Sequence, residues 1–371
     1  MSNQPKTFPH EGQQQQSRQN LRPSETLAIE KPAHWEASVL PCRNTIREIR
    51  AANWNDSVMS EDQRPLADEH DSHSNEAEQP SGFAAWLRPP FRRQGGISEL
   101  QFLPIYLAAG MVCFLLLWTV ARYLLPPGAS RLWGQLLGEL IFAAAAIAPA
   151  IGIARIEGRA LSDYGLPIRH AFRKQFWSGA VWGVISLSLL LFILHTFGDF
   201  SYGSVILHGT RVWKFAVFWA SFFLFVALFE EFLFRGYTLF AIKQLTGFWP
   251  SALFLSAIFA YTHHGNKGET WIGALGAGAI GLFFCLTLRR TGNLWFAVGL
   301  HAAWDWAQTF LYGVPDSGVI EPGHLLQASL HGSRWLTGGS VGPEGSILVF
   351  VIIALMWVVF DRAYPKKGTG T

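Results

Sequence analysis

Charge is what this chain has least of. Only 15% of its 371 residues are Asp, Glu, Lys or Arg, against roughly 25% in an average soluble protein. The formal net charge of +3 is small, so nucleic acid is not expected as a partner. There are three cysteines, Cys42, Cys113 and Cys285. An odd number, two of them in apolar segments, gives neither a disulfide framework nor a metal quartet. The zinc-protease helix signature His-Glu-x-x-His is absent. The first residues are polar and contain no apolar h-region, which predicts that no signal peptide is cleaved. What is abundant is apolar surface: half of the residues are hydrophobic, 14% are aromatic, and the mean hydropathy is +0.21.

The apolar residues are unevenly spread. Residues 1–100 hold Gln13-Gln14-Gln15-Gln16, several prolines and an acidic stretch from Glu61 to Glu78. Such a composition cannot build a core and predicts a mostly disordered polar tail. His70 and His73 lie near Asp68, Glu69 and Asp71, a group that reads first as a solvated charge run and only second as a weak metal site. Trp86, Arg88, Phe91, Arg92 and Arg93 follow, an aromatic and basic mixture suited to a headgroup interface.

From about Phe102 the chain becomes a series of apolar segments. A bilayer crossing takes roughly 20 residues. Eight segments approach that length, at about 102–124, 133–154, 176–197, 213–238, 249–264, 270–288, 293–312 and 344–360. The expected fold is therefore all-α, a polytopic membrane helical bundle over 101–364. Basic residues gather before the first segment and after the second, fourth, sixth and last. That alternation predicts both termini on the cytoplasmic side. Gly273, Gly276, Gly278 and Gly281 give the sixth segment small faces, which close helix packing explains.

Ionisable residues inside such segments are costly and default to a functional reading. Glu230 and Glu231 follow fifteen uncharged, mostly apolar residues, and Arg235 comes four residues after Glu231. Residues four apart share a helix face, so Glu231 and Arg235 are placed to pair. Glu230 points about 100° away and is left for another task. Phe259 and His263 have the same spacing, as do His301 and Asp305. The ring of Phe259 can support the imidazole of His263. Asp305 can accept from His301 and fix its tautomer, or contact a substrate directly. A hydrolase needs an activated water, a group to hold it, and a stabiliser of the oxyanion. Glu230 with His263 can supply the first two, and His301 with Asp305 the third. Taken singly, each feature reads more simply as a packing histidine or a structural ion pair; it is their conjunction that points to a reaction centre. Glu139, His195 and His264 stay with the simpler reading.

These three motifs resemble those of the CPBP intramembrane proteases, the group that includes the type II CAAX prenyl endopeptidase and the bacterial Abi proteins. The family pattern Glu-Glu-x-x-x-Arg falls on Glu230, Glu231 and Arg235, Phe-x-x-x-His on Phe259 and His263, and His-x-x-x-Asn/Asp on His301 and Asp305. Asn266, and the run Asp163-Tyr164-Gly165-Leu166, also match. The resemblance covers a catalytic core at about 155–312. It implies intramembrane hydrolysis of a peptide bond in a membrane-associated or lipidated peptide or protein. By the same resemblance Glu230 is the base, His263 holds the water, His301 and Asp305 form the oxyanion site, and Glu231 and Arg235 support the cleft. No cofactor is certain. The motifs leave open whether the water attack is metal-free or uses zinc held by His263, His301 and a glutamate. The lipid bilayer is the expected surrounding and a bacterial inner membrane the expected location. Two other classes stay in view: a non-catalytic scaffold or bacteriocin self-immunity protein, and a proton-coupled transporter, although no internal repeat of the transporter kind is visible.

Overall fold

The computed structural model describes residues 98–124, 130–266 and 268–365. The expected polar tail before Ser98, with its histidine and aromatic-basic clusters, lies outside the described residues. So do Cys42, Lys267, Lys366 and Lys367.

The described chain is overwhelmingly helical. Its α-helices are α1 (Ser98–Leu124), α2 (Arg131–Glu157), α3 (Lys174–Thr196), α4 (Thr210–Glu231), α5 (Thr238–Thr246), α6 (Phe248–His263), α7 (Trp271–Thr291), α8 (Trp295–Trp306), α9 (Arg334–Thr337) and α10 (Leu348–Ala363). The only paired strands among the described residues are β1 (Phe200–Ser201) and β2 (Ser329–Leu330). They form an antiparallel ribbon with Phe200 opposite Leu330.

Each of the eight apolar segments is helical over most of its length. Five stretches are also long and apolar enough to cross a membrane: Leu100–Tyr123, Arg131–Glu157, Lys174–Thr196, Thr210–Thr246 and Trp271–Thr291. Helices α6 and α10 have 16 residues each and α8 has 12, all short of a usual crossing. The outer faces remain apolar. On α1, Met111 is 60% exposed and Leu116 63%. A soluble monomer rarely leaves so wide an apolar face in water. The protein is an integral membrane protein.

Two π-turns interrupt the helices. One, Phe232–Tyr237, joins α4 to α5 and contains Gly236 with non-helical angles (φ −84°, ψ −114°). The other, Ala307–Tyr312, continues α8. Each directly follows a motif that carries ionisable residues. Inserted turns of this kind concentrate at functional sites. Both lie within the apolar segments expected at 213–238 and 293–312.

Small residues set the spacing of the bundle. A Cβ on Gly179 or Gly183 of α3 would overlap the backbone of α8, and one on Gly299 of α8 would overlap the backbone of α3. These two helices therefore touch main chain to main chain, which holds the third motif firmly in place. The run Asp163–Leu166 docks under the first π-turn. Tyr164 packs edge-on against Tyr237 and donates to Glu157 at 2.6 Å, while Gly165 accepts from the Leu294 amide at 2.8 Å, just ahead of α8.

Candidate active site

The first motif ends α4 and enters the π-turn. Glu231 and Arg235 are completely buried there, with Arg235 Nη1 3.3 Å from Glu231 Oε1. The expected pair is present. The guanidinium also lies 4.1 Å from the Phe259 ring centre, a cation–π contact that strengthens away from water. Helix α7 gives it room: a Cβ on Gly281 would overlap Arg235 Nη2. Gly281 is thus explained by the arginine. Gly278, where a Cβ would come within 3.0 Å of Ala260, fits the helix-packing expectation. Gly273 makes way for the Glu269 carboxylate.

Phe259 connects the first and second motifs. Its carbonyl accepts from His263 Nδ1 at 2.9 Å, and the two rings are 4.2 Å apart. With Nδ1 carrying the proton, His263 Nε2 is left with a lone pair. Asn266 closes the following turn, its amide donating to the His263 carbonyl at 2.9 Å.

The third motif meets the first across the bundle. His301 Nδ1 is 3.0 Å from Glu231 Oε1. Its Nε2 faces two other carboxylates, Asp305 Oδ2 at 3.4 Å and Glu230 Oε2 at 3.6 Å. The ring of His301 is therefore held by Glu231 on Nδ1, with Asp305 on the opposite nitrogen. Asp305 is thus beside His301, as its spacing suggested, and Glu231 is a second carboxylate on the ring. Phe284 stacks beside the imidazole, with ring centres 5.7 Å apart.

Glu230, His263, His301 and Asp305 line one cavity of about 330 Å³, whereas Glu231 and Arg235 sit behind its wall. Aromatic and aliphatic groups, among them Trp219, Phe223, Phe284, Ile353 and Met356, form much of the remaining lining. Straight, full-length segments would leave His263 far from Glu230. In the structure both residues line the same cavity. Glu230 Oε2 is buried with no hydrogen-bond partner among the described residues. A buried carboxylate oxygen left without a donor is an acceptor available to a water or a substrate N–H.

Glu139 does not line this cavity. His195 bonds the Phe200 carbonyl at 2.8 Å, and His264 stacks on Trp271 at 3.9 Å. Both histidines are thus held by packing and backbone contacts away from the cavity. Several cavity residues lie beyond the three motifs: Glu269, Thr309, Asp316, Ser317, Glu321 and Glu344. Asp316 accepts from Thr309 Oγ1 at 2.9 Å. Burial raises its carboxyl to about 6, the Thr309 bond and His301 opposing the shift and Glu230 and Glu321 adding to it. Burial also raises Glu269, against the Thr270 amide and the charges of His263 and His264.

The residues do not fit the zinc site. Among the described residues, no three His, Cys, Asp or Glu side chains group as metal ligands. His301 has both ring nitrogens turned to carboxylates.

Residues 211–307 match the family model described as type II CAAX prenyl endopeptidase Rce1-like. No curated protein and no solved structure matches the chain. The matched segment contains every residue of the three motifs, from Glu230 to Asp305, and that match supports membership of the CPBP family.

Proposed function

We propose that the chain is an intramembrane endopeptidase in which Glu230 activates water against a peptide bond of a membrane-associated or lipidated substrate. The observation that carries this reading is the convergence of Glu230, His263, His301 and Asp305 on one cavity in an apolar bundle. Glu230 takes a proton from a water that His263 Nε2 holds as acceptor. The water oxygen adds to the carbonyl carbon, and the carbonyl oxygen becomes the oxyanion. Protonated His301 donates from Nε2 to that oxyanion, while Asp305 borders the same nitrogen. The C–N bond then breaks, and the proton on Glu230 passes to the departing amine. Glu231 and Arg235 act through His301 by fixing its ring. No step runs through a metal.

The eight helical segments are proposed as eight passages into or through the bilayer, with α6, α8 and α10 short or tilted. The alternating basic residues favour both termini on the cytoplasmic side of a bacterial inner membrane. The test is cleavage of a lipidated-peptide library by the purified protein, beside Glu230→Gln and with and without a chelator. Loss of cleavage in the variant and persistence with chelator support the reading. Specific peptide binding without cleavage by the wild type would move it to the scaffold or immunity reading.

A further inference from the structure

Behind the cavity wall sits a polar group that the proposed chemistry does not use. Gln308 lies within the second π-turn and is wholly buried. Its amide is fully engaged. Gln308 Oε1 accepts from Trp304 Nε1 at 2.9 Å, and Nε2 donates to the Pro315 carbonyl at 2.7 Å and to Glu344 Oε2 at 3.0 Å. The other carboxylate oxygen of Glu344 accepts from the Ser317 amide at 2.6 Å. Gln308 and Glu344 thus tie together Trp304 on α8, the following loop at Pro315 and Ser317, and the turn ahead of α10. Gly342 lets this loop close, since a Cβ there would overlap the Pro315 carbonyl and come within 3.1 Å of Gln308 Nε2.

We propose that Gln308 and Glu344 form a positioning clamp for the reaction centre, a proposal that rests on the endopeptidase reading. The clamp holds the end of α8, and with it Asp305 beside His301 Nε2, against the loop that closes the cavity. Glutamine suits the position because the site needs an acceptor for an indole and two donors on the same group. Glutamate would keep the acceptor and lose both donors, the ones to the Pro315 carbonyl and to Glu344. Glu344 lines the cavity, and each of its oxygens already accepts one hydrogen bond, so it acts as a strut in the clamp.

The test uses the full-length protein with 5-fluorotryptophan, in detergent, the Trp304 fluorine resonance being assigned through Trp304→Phe. Gln308→Glu is compared with the double variant Gln308→Glu/Glu344→Gln, which restores a donor–acceptor pair between the two positions. Misplacing reacting groups through a remote change costs up to about 100-fold. The single variant is expected to lose at least about 5-fold in kcat with KM changed less, and to shift the Trp304 resonance. The double variant is expected to recover most of both, a coupling that only an interacting pair shows. A smaller kcat loss in folded Gln308→Glu, or no recovery in the double variant, would overturn the clamp. If Gln308→Glu does not fold, Glu344→Gln replaces it, with the same loss expected and the same threshold. Wild type that cleaves nothing counts against the endopeptidase reading. The fluorine arm then decides the clamp alone: a shift that the double variant reverses supports it, and an unmoved resonance overturns it.

Discussion

His301 Nδ1 and Glu231 Oε1 stand 3.0 Å apart, joining two motifs separated by 70 residues of sequence. The same oxygen takes Arg235 at 3.3 Å, and Arg235 in turn covers the ring of Phe259. All three motifs are therefore connected through one buried carboxylate that does not itself line the cavity. Glu231 and Arg235 fix the geometry, and Glu230 is left to the substrate side.

Arg235→Met is expected to damage folding more than catalysis. It removes one of the two cations beside Glu231, His301 being the other, so the cost should reach at most about 3–5 kcal/mol, that of a broken buried pair. Arg235→Lys should recover only part of this, because an ammonium lacks the planar face that stacks on Phe259. Thermal unfolding in detergent checks both, and a wild-type midpoint for Arg235→Met would contradict the assignment.

Gly281→Ala places a methyl group against Arg235, so it should lower activity even though alanine favours a helix. Gly152→Ala in α2, where a Cβ meets nothing within 4 Å, is the control and should leave cleavage unchanged. Equal activity in the two variants would sever Gly281 from the cluster.

Gly183→Ala should destabilise the protein by about 1–3 kcal/mol through overpacking. Its Cβ would meet the backbone of α8, which cannot swing aside as a side chain can. Denaturation midpoints of Gly183→Ala against Gly152→Ala measure the difference.

Asp316 gives a pH dependence of stability. Its carboxyl is raised to about 6 in the folded protein, chiefly by burial, from about 3.9 in an unfolded chain. Between those values the folded state holds more protons than the unfolded state, so this group lowers stability as pH rises from about 4 to about 6. Asp316→Asn retains an acceptor for Thr309 and should flatten that part of the curve. Thermal midpoints across this range, unchanged in slope, would contradict the placement.

What was legible in the sequence is what spacing on one helix can carry. Glu231 with Arg235 and Phe259 with His263 were readable because residues four apart share a face. His301 with Asp305 was readable for the same reason, although its ring turned out to be held by Glu231 from another helix. That partner could not be found from local spacing. Neither could the two π-turns, since an inserted residue depends on the side chains packed around it. The contributions of Gln308, Thr309, Asp316 and Glu344 arise because the chain between α8 and α10 folds back over the cavity. The one signal for this was its length, since long connections between helices tend to be functional. Gly281 and Gly273 read as packing glycines until the groups filling the space beside them, Arg235 and Glu269, were located.

The most direct measurement is cleavage of a lipidated-peptide library by wild type and Glu230→Gln, each with and without chelator. Removing the base should lower kcat by at least about 100-fold, in line with general-base contributions of roughly 100- to 10,000-fold, and chelator should leave the wild type unaffected. Retained cleavage in a folded Glu230→Gln protein would contradict Glu230 as the base. Loss of wild-type activity with chelator, restored by added zinc, would contradict the metal-free route.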